Sequence, residues 1–150
     1  MKSFIILTLL CAGTNAISTE FFEKVMNELH AVAMACVKQE SATANDMVEL
    51  MVHKFPPSTH EAKCVIACFY EHYHMMTPEG TFDKQATIDA FNPLKSEDAD
   101  LYDKMLKIVD TCQENPQIFE DRCETASAMA VCVKQQVEAL GLTSNSIIQA

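Results

Sequence analysis

Cys64 and Cys68 stand four residues apart in the stretch Ser58–Met76, and no other feature of the sequence constrains the fold as tightly. Pro56-Pro57 ends whatever precedes this stretch. Ser58 followed three positions later by Glu61 reads as a capping box, so a helix is predicted to begin here. Positions i and i+4 of a helix share a face, which points both sulfurs the same way, one turn apart. Such neighbours are badly aimed at each other but well placed to staple two other segments, and this helix is the predicted hub.

Whether the sulfurs are oxidised depends on where the chain goes. Lys2, the apolar run Phe4–Ala12 and Thr14-Asn15-Ala16 follow in the order of a secretory signal peptide. Residues 1–16 are therefore expected to be removed, and residues 17–150 to form a single secreted, extracellular domain. Phe4–Ala12 is too short to cross a bilayer, and no later segment reaches the roughly 18 apolar residues a spanning helix needs, so no stable membrane insertion is expected. Cys11 leaves with the signal peptide, which reduces seven cysteines to six: Cys36, Cys64, Cys68, Cys112, Cys123 and Cys132. An even count in a small secreted domain implies three disulfides in place of free thiols or a structural zinc. Cysteine arithmetic does not choose among the pairings that six allow.

Apolar residues recur at helical spacing through most of the chain and strand-like alternation is absent, so the expected class is all-α with about six helices. The first carries Phe22, Val25, Met26, Leu29, Val32, Ala33 and Cys36 on one face. A second, shorter helix is capped at Asn45 or Asp46 and runs to about His53. The hub follows and runs out at Thr77-Pro78-Glu79-Gly80, its last turns crowded with Tyr70, Tyr73 and Met76 beside His72 and His74. Phe82–Phe91 reads as a short helix capped at Asp83, with Ile88 and Phe91 inward. Ser96 is the expected cap of a longer one with Leu101, Met105, Ile108, Val109 and Cys112 inward. Asp121 opens the last, with Ala126, Met129, Ala130, Val133 and Val137 inward and Gly141 as its C-terminal cap. The tail is polar apart from Leu142, Ile147 and Ile148; such ends are usually frayed, although the two isoleucines would also suit a groove.

Composition and motifs exclude several functions. The formal charge of −10 becomes −11 once Lys2 is gone, and its acids are spread along the chain, so nucleic acid is not an expected partner. No Gly-x-Ser-x-Gly elbow, His-Glu-x-x-His motif or phosphate-cradling glycine loop occurs; no catalytic residue, cofactor or enzyme activity is assigned. His60, Cys64, Cys68 and His72 form an i, i+4 ladder. Four donors along one straight helix cannot close a tetrahedron around one ion, so no metal site is expected.

Between successive mature cysteines lie 27, 3, 43, 10 and 8 residues. This pattern resembles the six-cysteine, general and pheromone-binding type of the insect odorant-binding protein family. That family places three residues between its second and third cysteines and eight between its fifth and sixth; Cys64–Cys68 and Cys123–Cys132 match both spacings. The resemblance covers the whole mature chain. It implies pairing of first with third, second with fifth and fourth with sixth, that is Cys36 with Cys68, Cys64 with Cys123 and Cys112 with Cys132. It also implies helices around a hydrophobic cavity that carries odorants, pheromones or similar small hydrophobic molecules through aqueous fluid. Such a carrier serves olfactory transport as a monomer or weak dimer, with an olfactory receptor as a second partner.

The inward faces supply candidate lining residues for that cavity: Met26 from the first helix, Tyr70, Tyr73 and Met76 from the hub, then Phe82, Phe91, Leu101, Met105, Ile108, Val109, Met129, Val133 and Val137. Eight methionines after processing suit a pocket that reshapes to varied ligands. His72 and His74 are candidate pH sensors, loosening the pocket when protonated. The alternative is a lipid-binding or membrane-active protein of saposin type, also acidic with six cysteines, against which the cysteine spacing argues.

Overall fold

Short polar side chains decide where the helices begin. The computed structural model describes residues 17–142, within which lie α1 (Thr19–Gln39), α2 (Ala44–Met51), α3 (His60–His72), α4 (Lys84–Phe91), α5 (Leu94–Glu97), α6 (Ala99–Glu114) and α7 (Arg122–Ala139). Ser18, Thr43, Thr59, Asp83, Asp98 and Asp121 each accept a first-turn N–H and so satisfy a backbone donor that the helix cannot. The fold is all-α, as expected; among the described residues the sole extended pairing is a bridge between Met76 and Phe82. The expected signal peptide, 1–16, and Ile147 and Ile148 of the tail lie outside the described residues.

Seven helices stand within the described residues where about six were expected, and the difference has a local cause. Ser96 does not cap the long helix; it sits inside α5, a single turn that follows Pro93. Asp98, extended at φ −149°, ends that turn and caps α6 by accepting from the Leu101 N–H at 2.9 Å. Two other caps shift for similar reasons. Ser58 is drawn away by Glu49, whose carboxylate accepts from its N–H and hydroxyl at 2.8 and 2.9 Å, and Thr59 caps α3 instead. Thr43 caps α2, with Asp46 completing the box from inside the helix. The hub also stops earlier than its composition suggests, at His72, because His74 turns left-handed at φ +57° and Met76 leaves to pair with Phe82.

Packing then makes α3 the centre. It lies mainly against α7 and secondarily against α1. Ala62, Ala67 and Ala126 are fully buried, and side chains this small let α3 and α7 approach closely. The sulfurs one turn apart on α3 leave in two directions: Cys68 to Cys36 on α1, with Cα atoms 5.7 Å apart, and Cys64 to Cys123 on α7, 4.5 Å apart. Cys112 and Cys132 close the third bridge, from α6 to α7. Ion pairs follow the same routes. Lys63 on α3 meets Glu124 on α7, and Arg122 reaches both Glu71 on α3 and Glu40 at the end of α1.

Two predictions follow from these links. Loop closure makes the bridge spanning the longest segment the most stabilising. Replacing Cys64 and Cys123 together by alanine, which opens a 59-residue separation, should cost about 4 kcal/mol in urea unfolding. Replacing Cys112 and Cys132, 20 residues apart, should cost about 3 kcal/mol, and a reversed order would contradict the loop-closure account. The second concerns Asp46, which is buried and accepts from the Thr59 hydroxyl at 2.6 Å and from the Thr43 N–H and hydroxyl at 2.7 Å. These bonds, Thr59's first, hold its pKa below the ordinary 3.8, against the opposing effect of burial. Asp46→Ala should lose about 2 kcal/mol at neutral pH. A depressed folded-state pKa stabilises only while the group is ionised, so the wild-type advantage should vanish as pH falls through that lowered value.

Candidate ligand-binding site

Four parts of the chain, α3, the segment before α4, α6 and α7, send apolar side chains to a shared interior. Ile108 and Cys112 of α6 and Met129 of α7 are buried together, and Tyr70, Phe82, Met105, Val133 and Val137 pack around them. Tyr70 and Phe82 also pack on a neighbouring buried group that holds Met76, Ile66 and the Cys64–Cys123 bridge, so the two groups are continuous. The Tyr70 and Phe82 rings meet edge to face with centroids 6.1 Å apart. The central members of this interior are buried, but Tyr70, Phe82, Met105, Val133 and Val137 are each only half-buried despite facing inward. Burial nonetheless pushes the Tyr70 phenol well above its ordinary pKa.

The other expected lining residues scatter. Val109 is buried, while Phe91 and Leu101 are half-buried, outside these groups. Tyr73 packs between α1 and α3 with Val32, Cys36, Val65 and Cys68, its ring 5.1 Å from that of Phe69. Its hydroxyl is buried without a hydrogen-bond partner, and burial, then the nearby Glu28 carboxylate, raises its pKa. Met26 is a correction: it is 47% exposed and faces out. The inner face of α1 runs through Phe21, Val25, Leu29, Val32 and Cys36, a series of three- and four-residue steps that turns Phe22 and Met26 toward the rim. Choosing Phe21 over Phe22 would have found it. His72 and His74 are both exposed; His72 meets Tyr73 edge-on at 5.0 Å.

Two further features lie outside the expected set. His60, Cys64 and Cys123 bring donor atoms within 4.8 Å of one another, and His60 Nε2 is 2.7 Å from Asp121 Oδ2. Both sulfurs are bonded to each other, however, and a disulfide offers no thiolate, so the chemistry does not fit a zinc centre. Histidine and aspartate simply cover the bridge. The second feature is a groove of about 510 Å3 outside α7, facing the segment after α6. Met129 alone of the expected lining residues borders it. Loop residues make up much of its wall, and no helical periodicity reports on those.

Residues 18–136 match the PBP/GOBP family. This chain belongs to that family. Among its relatives, general odorant-binding protein 19d of Drosophila melanogaster is 33% identical over 138 residues, which cover 89% of this chain and 87% of that protein. Among solved structures, the odorant-binding protein dmelOBP28a from Drosophila melanogaster superimposes with a TM-score of 0.68 at 26% identity, over 81% of this chain and 98% of its own. The fatty acid binding protein OBP56a from the oral disk of the blowfly Phormia regina shares the fold, with a TM-score of 0.59 at 20% identity over 78% of this chain and 95% of its own. As a PBP/GOBP protein, the chain joins the six cysteines of its described residues in the order that the family resemblance implies.

The contrast between inner and outer positions is measurable in this PBP/GOBP protein. Ile108→Ala, at a site 2% exposed, should cost about 3 kcal/mol in urea unfolding, and Met26→Ala about 0.5 kcal/mol or less. Equal costs would show that the assignment of faces is wrong.

Proposed function

We propose that this protein is a secreted carrier that holds a small hydrophobic molecule, an odorant, pheromone or similar compound, in a cavity between α3, α6 and α7. The observation that carries the reading is the half-buried state of Tyr70, Phe82, Met105, Val133 and Val137 around the buried Ile108 and Met129. Apolar surface that faces inward and is not consumed by packing is surface available to an apolar guest. Tyr70 is placed to share in that contact, since it packs on the group around Ile108 and Met129 and is not fully buried by it. Its relatives are named for binding odorants and not for catalysis.

The remaining parts of the proposal follow the same line. Residues 1–16 act as the signal peptide and 17–150 as one domain in extracellular fluid, where no helix of the described residues is long and apolar enough to cross a membrane. The carrier works as a monomer or weak dimer and hands cargo to a receptor, without cofactor. Of the two candidate pH sensors, His72 has a route to the packed interior, through Tyr73. Burying about ten methylenes contributes about 8 kcal/mol gross, and lost rigid-body freedom offsets several of these. The expected dissociation constant is therefore on the order of micromolar.

A fluorescent apolar probe tests this directly. The mature protein should bind one equivalent saturably, release it to competing aliphatic compounds, and leave liposomes intact. Val133→Trp, which fills the interior, should weaken binding about tenfold or more, while Met26→Trp on the outer face should leave it unchanged. Equal binding by both variants would place the ligand elsewhere, and liposome leakage would favour the saposin-type alternative.

A further inference from the structure

Apart from Cys112, Met129 and Cys132, the groove outside α7 is built from residues that the interior groups do not use. Cys123, Ala126 and Ala130 of α7 face α3, and the stripe at Glu124, Ser127, Ala128, Val131 and Gln135 faces the other way, at helical spacing. Opposite stand Thr111 and Asn115 near the end of α6, then Pro116, Gln117 and Phe119, with Pro56 at one end. The volume, about 510 Å3, lies within the range of small-molecule sites.

This wall is held in place. The Cys112–Cys132 bridge borders the groove and joins its two sides covalently. Thr125, fully buried, accepts from the Phe119 N–H at 2.9 Å and donates its hydroxyl to a backbone carbonyl, with Asp121 O at 3.2 Å and Phe119 O at 3.3 Å. That fastening sets the connecting segment against the start of α7. A site with walls fixed in advance binds without first having to order them.

Its chemistry is specific. Ser127 is 2% exposed and borders the groove, and its hydroxyl makes no hydrogen bond with any described side chain or backbone group. The hydroxyl is not among the described polar atoms shut away from water without a partner, so it opens on the groove, where a guest can take the place of water. Amides of Asn115, Gln117 and Gln135 add donors and acceptors around it, and Pro116, Phe119 and Val131 supply apolar walls. No lysine, arginine or histidine borders the groove, and both oxygens of its one carboxylate, Glu124, are taken by Lys63 Nζ at 2.8 and 3.0 Å. An anion would find no counter-charge here, in a chain that is itself at −10.

We propose that this groove is a second binding site, independent of the interior, for a small uncharged molecule that joins an apolar body to a hydroxyl group. Ser127 and the surrounding amides bind the hydroxyl, and Phe119 and Pro116 cover the body. Two ligands could then be held at once.

The probe is p-cresol, titrated into the 15N-labelled mature protein with the fluorescent apolar probe already bound, and followed by amide chemical shifts and fluorescence together. Saturable shifts should centre on Ser127, Ala128 and Gln135 while probe fluorescence stays constant. Ala128→Trp, which fills the groove, should weaken p-cresol binding about tenfold, and Ser127→Ala, which removes only the hydroxyl, about threefold to tenfold. The anionic counterpart 4-methylbenzoate should bind at least about tenfold more weakly than p-cresol. Shifts centred on Tyr70, Met105 and Val133 with loss of probe fluorescence would overturn the proposal, as would equal binding of the benzoate or unaltered binding by Ser127→Ala. The shift map does not depend on interior occupancy, so failure of the carrier reading would leave this test valid.

Discussion

The structure depends on two sulfur bridges that leave one helix a turn apart. Cys68 ties α3 to α1 and Cys64 ties it to α7, so the position of α3 is fixed covalently on two sides as well as by packing. Each bridge removes freedom from the unfolded chain worth about 3–4 kcal/mol, comparable with the total stability margin of many small domains. Charge repeats what sulfur begins. Arg122 at the start of α7 is bonded to Glu71 on α3 and to Glu40 at the end of α1, across the same three helices. Burial keeps the Glu71 carboxyl above its ordinary pKa although Arg122 pulls the other way, which places this contact at the edge of the dry interior.

A shell stapled in this way does not need a completely filled centre. An ordinary helical domain of this size draws its stability from continuous apolar burial, and leaving large side chains half-buried inside it would be costly. Here the α3–α7 seam is packed with alanine and cystine, and the bulky residues Met105, Val133 and Val137 are left to border the region beyond it. On the carrier proposal, stability and binding fall to different surfaces of the same helices. The faces of α7 show the division well: one side seals against α3, a second meets α6 through Met129 and Val133, and a third forms the outer groove.

Much of this was legible in the sequence wherever a signal is local or periodic. The helical class, the hub at Cys64 and Cys68, the caps at Asp83 and Asp121, and Gly141, which takes the left-handed φ of +67° after α7, all rest on rules that act over a few residues. The misplaced caps at Ser58 and Ser96 failed because a competing partner was invisible: Glu49 nine residues upstream for the first, and a stronger cap at Asp98 for the second. Met26 was misassigned because α1 contains Phe21 and Phe22, and a helical stripe shifted by one residue looks equally apolar until a neighbouring helix chooses between them. The outer groove had no sequence signal at all. Its walls come from α6, α7, the segment joining them and Pro56, and only the fold brings them together.

The central claim is that these staples leave an apolar space open among α3, α6 and α7. Xenon enters dry apolar cavities and gives strong diffraction contrast, so crystals of the mature protein pressurised with xenon test it most directly. The account predicts xenon bounded by Tyr70, Met105, Val133 and Val137, displaced when an apolar ligand is soaked in. Side chains closing that region, with xenon absent from it, would contradict the account.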